Sequence, residues 1–346
     1  MLGQLQGGAY VKPRTLTLGA YLTEQWLPAI RTSVRRGTFR SYSEHVSAYI
    51  TPRLGSLGLQ QVSPTALNAF YADLLTNGRR RDGSGLHPST VRRVHATLHR
   101  ALRDAVKWRL LAINPADHSD PPKQRQAGST ELRTWLATEV DAFLAHVTGD
   151  RLEAAWILTA TTGMRRGEVL GLRWEDVDLV ARRAAVRQTL TAAGHKLALS
   201  TPKTSRGRRS VPLPATTVEA LRTHRCRQLE ERLAWGPAYR DGDLVFTRED
   251  GSPVHPDAFS DAFNRHAREA DLPRIRLHDL RHTFATLALV SGVPVKVVSE
   301  ILGHSTHSFT ADVYQHLVPA LQEDAAERVA DLIFGSRVDK RLTGGA

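Results

Sequence analysis

Apolar residues recur at helical spacing along most of this chain. Thr17 stands just before Leu18, Tyr21, Leu22, Trp26 and Leu27, a pattern that predicts a helix capped by the threonine hydroxyl and ended by Pro28. Thr38 opens a second amphipathic run through Tyr42, Val46 and Tyr49, stopped near Pro52 and Gly55. Ser63 and Pro64 open a third through Leu67, Phe70 and Leu74, and Pro88-Ser89-Thr90 a fourth through Val94, Leu98, Leu102 and Val106. These four helices predict a small all-α domain over residues 15–120, behind a short Gly-rich tail at 1–14.

The periodicity then lapses. His118 to Thr130 (HSDPPKQRQAGST) is rich in Pro, Lys, Gln and Ser, and the linker is set at 121–130. From 131 to 340 the pattern resumes as a second domain. Thr138 is expected to cap a helix through Phe143 and Val147. Arg151–Thr162 reads as an apolar helix interrupted at Gly163, and Arg166–Leu172 as a short third. Ala184–Leu190, Leu197–Ser200 and Arg209–Leu213 alternate or are β-branched, and turn-like residues at 193–195 and 203–207 separate them. They predict a three-stranded antiparallel sheet. Helices follow at Pro214–Trp235 and Pro256–Asp271, then within 275–317, and last near Pro319–Phe334. The expected fold class is therefore mainly α with a small antiparallel β-sheet.

Charge adds a direction. Of 346 residues, 47 are Lys or Arg and 35 Asp or Glu, so the formal charge is +12 and a polyanionic partner is expected. Residues 1–122 hold 16 basic and 7 acidic residues, so the excess sits mainly in the first third. The fourth helix carries Arg92, Arg93, Arg100, Arg103 and Lys107, which fall largely outside its apolar stripe and are candidates for phosphate contacts. One cysteine, Cys226, forms no intramolecular disulfide and suits a reducing compartment. No apolar run approaches the length of a membrane span, so a cytoplasmic protein is expected.

Candidate chemistry concentrates in residues 275–317. This stretch sets His278, Arg281, His304 and Tyr314 at the edges of helix-like runs broken by Gly292, Pro294 and Gly303. Cations, hydrogen-bond donors and one oxygen nucleophile suit attack on a phosphodiester, which needs charge neutralised at the non-bridging oxygens and a proton donor for the leaving oxygen. There is no dense Asp/Glu cluster of the kind that holds catalytic magnesium, and His304 and His307 lack further ligands at metal spacing, so no metal and no cofactor is expected. Arginine takes the metal's place. Arg281 shares a helix face with His278, and Arg165 follows the break at Gly163, where a helix start aims backbone N–H groups into the same cleft.

Singly, such an arginine is most often a surface ion-pair partner and such a tyrosine a core residue. Together they resemble the tyrosine recombinase family of phage and mobile-element integrases. TGMRRGEVLGLRWEDVD at 162–178 is similar to that family's first arginine box, which implies a catalytic Arg165 with Glu168 in support. TPKTSRGRRSVPLP at 201–214 resembles the β-hairpin that delivers its catalytic lysine, here Lys203. HDLRHTFAT at 278–286 matches the His-x-x-Arg box, and LGHSTHSFTADVYQH at 302–316 the terminal box with His304 and the nucleophile Tyr314.

The resemblance implies a two-domain DNA clamp. Residues 15–120 would be the core-binding domain, 131–340 the α+β catalytic domain, and a separate arm-binding domain is expected to be absent before residue 15. It implies a site-specific recombinase that cleaves and rejoins DNA through a 3′-phosphotyrosyl link, without metal or ATP, to integrate or excise a phage or mobile element. Expected partners are double-stranded attachment sites, three further copies of the chain in a synaptic tetramer, and a directionality factor or host DNA-bending protein. Two rival readings remain at this stage: a type IB topoisomerase, and a DNA-binding protein with a vestigial site.

Overall fold

A computed structural model describes residues 15–79, 81–123, 133–193, 196–201 and 208–303, with helical positions at 329–330 and 333. The chain divides into two compact units, Met1–Thr130 and Glu131–Ala346.

Among the described residues the regular elements of the first unit are helices, with one bridge between Thr17 and Gly58. Helix α1 runs from Leu18–Ala20 through a π turn at Tyr21–Trp26 into Leu27–Ile30, and the Thr17 hydroxyl caps it by accepting from the Ala20 N–H at 3.2 Å. The sequence reading ended this helix at Pro28, but it continues to Ile30. The π turn immediately before Pro28 supplies the reason, since its wider winding has already left the i→i−4 pattern that a proline ring and missing N–H disrupt. Helix α2 repeats the device, with Arg36–His45, a π turn at Val46–Ile50, and Thr51–Leu54 containing Pro52.

Helix α3 (Pro64–Asn77) is capped by Ser63 and α4 (Pro88–Lys107) by the His87 ring. Leu22, Trp26, Ile50, Leu67, Leu74, Val94, Leu98 and Leu102 fill the core between them. Two polar contacts pin α1 to α4. The Tyr21 hydroxyl donates to the Ala101 carbonyl at 2.7 Å, and the Trp26 indole N–H donates to Asp104 Oδ2 at 2.8 Å.

In the second unit, α5 (Ala137–His146) begins one residue before the expected cap. Thr138 lies inside the helix, and Glu139 reaches back to accept from the Leu136 N–H at 2.7 Å. Helix α6 (Glu153–Thr162) is largely buried, and α7 (Arg166–Leu170) follows a left-handed Gly163. Where the sequence predicts three strands, the described residues form five, in two small antiparallel sheets. Strands β1 (Val177–Asp178), β2 (Arg183–Val186) and β5 (Arg209–Pro212) form one, and β3 (Thr189–Ala193) pairs with β4 (Lys196–Ser200) in the other. The predicted first strand divides at residues 187–188, where the Gln188 amide turns to donate to the Gly171 carbonyl at 2.9 Å and Arg187 pairs with Asp176 at 3.1 Å.

Helices α8 (Ala215–Trp235), α9 (Pro256–Glu269), α10 (Leu277–Val290) and α11 (Val295–Leu302) complete the described part of the unit. Its core centres on aromatic rings, with Trp156 stacked on Phe259 at 4.2 Å and Phe143, Trp135 and Phe263 packed around them. A separate cluster of Ala285, Leu289, Val298 and Leu302 joins α10 to α11. The fold is mainly helical with small antiparallel sheets. Among the described residues no helix is long and apolar enough to cross a membrane.

Candidate active site

Helix α11 ends at Gly303, whose left-handed φ of 63° stops the helix and leaves its final carbonyls without intrahelical donors. Three arginines from three other segments take them in turn. Arg209 Nε on β5 donates to the Ile301 carbonyl at 2.6 Å, Arg281 Nη2 on α10 to Leu302 at 2.6 Å, and Arg165 Nη2, ahead of α7, to Gly303 at 3.2 Å. Arg281 spans a second helix end as well, because its Nη1 donates to the Gly163 carbonyl at 2.6 Å, just past α6. Both helix ends present partial negative charge, which favours guanidinium groups there.

Gly163 is required for this junction. Its φ is 61°, and a Cβ there would lie 2.6 Å from Leu302 Cδ2 and 2.7 Å from Phe284 Cδ1. Gly167 does similar work at the second residue of α7, where a Cβ would meet Thr189 Oγ1 at 2.4 Å, so the helix packs closely on β3.

One carboxylate holds the cluster together. Glu168 is 5 % exposed and accepts from Arg165 Nη1 at 2.7 Å, from the Arg165 backbone N–H at 3.0 Å, and from Arg209 Nη1 and Nη2 at 3.1 and 2.8 Å. Burial alone would raise its pKa, but the Arg209 hydrogen bonds and charge, with Arg165 behind them, hold it down to about 2. Arg281 is 2 % exposed; burial and the charge of Arg165 push its pKa down to about 9, against the pull of Glu168. Three guanidinium groups against one carboxylate leave the site strongly cationic.

His278 lies in the first turn of α10, one turn before Arg281. Partial burial, then the Arg281 charge, lower its pKa below the ordinary histidine value. The His282 ring meets it edge-on at 5.0 Å and is buried, with a pKa lowered to about 4 by burial and by His278. Asp279 is anchored by Arg276, which donates from Nη2 to Oδ1 at 2.8 Å and from its backbone N–H to Oδ2 at 2.8 Å.

Of the residues singled out from sequence, Arg165, Glu168 and Arg281 come together, and His278 joins them on α10. Lys203, His304 and Tyr314 lie outside the described residues, as does the expected helix near Pro319–Phe334 apart from 329–330 and 333. Arg209 and His282 were missed. A signal for Arg209 was present, since it sits two residues before the buried Val211 and strand alternation puts both on one face. On α4, Arg93, Arg103 and Lys107 are exposed. Arg92 donates to the Pro122 carbonyl at 2.9 Å, and Arg100 donates to the Tyr42 hydroxyl at 3.2 Å and lies over its ring.

Residues 136–320, more than half of the chain, match the sequence model of the phage integrase family. A XerC-like tyrosine recombinase of Caldanaerobacter subterraneus subsp. tengcongensis is 29 % identical across 96 % of this chain and 88 % of its own length. The integrase of Mycobacterium phage L5 is 29 % identical across 92 % of this chain and 80 % of its own. Among solved structures, the Tn1549 transposon integrase bound to transposon right-end DNA superposes with a TM-score of 0.73 at 21 % identity, over 91 % of this chain and 99 % of that one. A lambda integrase tetramer bound to a Holliday junction gives 0.63 at 17 % identity, over 90 % and 83 %. The chain belongs to the phage integrase family and is a tyrosine recombinase, a site-specific DNA recombinase.

Proposed function

We propose that Arg165, Lys203, His278, Arg281, His304 and Tyr314 carry out strand exchange, with Glu168 positioning the arginines. The Tyr314 oxygen attacks the scissile phosphorus, the bond to the 5′ oxygen breaks, and a 3′-phosphotyrosyl link forms. The tyrosine proton leaves through His278 or solvent, and Lys203 protonates the departing 5′ oxygen. Arg165, Arg281 and His304 neutralise charge developing on the non-bridging oxygens. Attack by the 5′ hydroxyl of a partner strand reverses the chemistry, so the phosphoester bond energy is retained and no nucleotide cofactor is consumed.

The observation that carries this reading is the convergence of Arg165 and Arg281 on consecutive carbonyls, Gly303 and Leu302, at the end of α11. His304 is the next residue in the sequence after Gly303. A nicked suicide substrate, incubated with the protein and run on a denaturing gel, tests it. A covalent adduct that disappears in Tyr314→Phe is expected; no adduct, or one that survives the substitution, overturns the assignment.

The proposal extends to partners and setting. The Tn1549 integrase bound to transposon right-end DNA and the lambda integrase tetramer bound to a Holliday junction support double-stranded attachment-site DNA as substrate and a tetramer as the recombining assembly of this chain. The first unit is proposed as the core-binding domain, its α4 residues Arg93, Arg103 and Lys107 facing phosphates, and the second as the catalytic domain. The reaction integrates or excises a mobile element in the cytoplasm, and a directionality factor or DNA-bending protein sets its direction. Relatives named as recombinase and integrases weigh against topoisomerase-like relaxation.

A further inference from the structure

Away from the arginines, the last turns of α5 and α9 bring together a different set of groups. His146 ends α5, and His266 and Glu269 lie three residues apart on one face of α9's last turn. The helices are held in register by Phe143 and Phe263, whose rings sit 5.2 Å apart. We infer that His146, His266 and Glu269 bind a divalent transition-metal ion of the zinc type.

The distances favour a shared cation over direct pairing. Glu269 Oε2 lies 3.6 Å from His146 Nε2 and 3.6 Å from His266 Nδ1, too far for hydrogen bonds. All three donor atoms fall within 4.8 Å of one another. Around a tetrahedral ion with bonds of about 2.0–2.2 Å, neighbouring donors stand about 3.3–3.6 Å apart, so two of the three separations need almost no adjustment.

His266 supplies the independent sign. The residue is 9 % exposed, and among the described residues its Nδ1 has no hydrogen-bond partner, an arrangement that costs free energy unless something occupies that side of the ring. The opposite nitrogen, Nε2, lies 3.4 Å from Arg265 Nη2, which can only donate to it, and 3.5 Å from Asp150 Oδ2; an ion taken up at Nδ1 moves the ring proton to Nε2, which then faces Asp150 in place of the Arg265 contact. This is the way an outer carboxylate orients a metal-binding histidine. Arg265 is the neighbouring cation. Its Nη2 lies 3.4 Å from His266 Nε2 and its Nε 3.8 Å from Glu269 Oε1, so it engages the outer edges of both residues and leaves Nδ1 and Oε2 facing inward.

Two imidazoles and one carboxylate match zinc, cobalt or nickel better than magnesium, which prefers oxygen donors. Both helices present the negative ends of their dipoles, adding to the attraction. Three protein donors leave one position for water. The ion would act as a clip between α5 and α9, and α9 leads through residues 270–276 into α10, which carries His278 and Arg281. Stripping it is expected to loosen that entry without removing any group from the arginine cluster.

The test uses the full chain, treated with chelator and titrated with zinc, cobalt or magnesium. One equivalent of zinc is expected to bind and raise the unfolding midpoint, cobalt to give the intense visible bands of a tetrahedral site, and magnesium to do neither. His146→Gln and Glu269→Gln, both exposed and so compatible with folding, should each weaken zinc binding at least about tenfold and abolish the midpoint shift. Cys226→Ser, which removes the chain's one thiol, should leave both intact. Absence of binding below millimolar zinc, or binding unchanged in both His146→Gln and Glu269→Gln, overturns the assignment.

Discussion

Arg209 clamps Glu168 with both terminal guanidinium nitrogens, at 3.1 and 2.8 Å, and each side chain is less than a tenth exposed. Glu168 belongs to the helix that follows Arg165, and Arg209 opens the strand six residues after Lys203. The pair therefore ties the arginine end of the proposed active site to the downstream end of the lysine-bearing segment. Among the described residues it sets three guanidinium groups against this one carboxylate, an arrangement stable as long as that carboxylate remains ionised.

Glu168→Gln keeps the shape and removes the charge. Because both partners are buried, breaking the pair is expected to lower folding stability by about 3–5 kcal/mol, far more than a surface ion pair contributes. Urea denaturation of the two single variants, Glu168→Gln and Arg209→Met, and of the double variant measures it. A double variant no less stable than Glu168→Gln alone identifies the unpaired guanidinium as the source of the loss.

Acid should dissolve the same pair. Glu168 has its pKa lowered from 4.5 to about 2, so its ionised form stabilises the fold fully above the unfolded value and loses that contribution as pH falls from about 5 toward 2. The stability gap between the native protein and Glu168→Gln is expected to close over that window. A gap independent of pH between 6 and 3 would contradict the assignment.

His282 acts in a higher range with the same sign. Its pKa is lowered from 6.5 to about 4, so the folded state takes up its proton later than the unfolded chain, and stability declines as pH falls from about 6.5 to 4. His282→Gln should flatten the unfolding midpoint across that interval, a change readable by thermal scans at half-unit pH steps.

Gly163→Ala tests the junction of the two helix ends. The left-handed backbone costs a β-carbon about 1–2 kcal/mol, and the contacts near 2.6 Å with Leu302 and Phe284 add about 1–3 more. Since Arg281 bonds the Gly163 carbonyl, the adduct yield on a suicide substrate is expected to fall with stability. Gly149→Ala, whose φ of 82° is similar but where a Cβ would meet no neighbour within 4 Å, should cost stability alone.

Arg281→Lys keeps a charge but not the fork that reaches both Gly163 and Leu302. Cleavage is expected to drop by roughly 100-fold with DNA affinity nearly unchanged, as suits a group acting on transition-state charge. By contrast, replacing Arg93, Arg103 and Lys107 together by alanine should weaken binding and flatten its salt dependence by about 0.9 log units per lost phosphate contact. Filter-binding affinities across a salt series separate the two effects.

Taken alone, the order of residues determined the helices, because apolar spacing and caps such as Thr17 and Ser63 are local signals that burial only reinforces. It also marked Arg165, Glu168 and Arg281, since each falls within a motif that needs no knowledge of distant contacts. Tertiary structure decided the rest. Helices α1 and α2 run through Pro28 and Pro52 because π turns relieve the prolines, and a predicted single strand splits because Arg187 and Gln188 find partners outside their own sheet. Arg209 entered the site only when β5 was laid beside α7 and α11, and the His146–His266–Glu269 group only when α5 met α9. Residues tens to more than a hundred positions apart carry no mutual signal along the chain; their chemistry exists only once packing has set the distance between them.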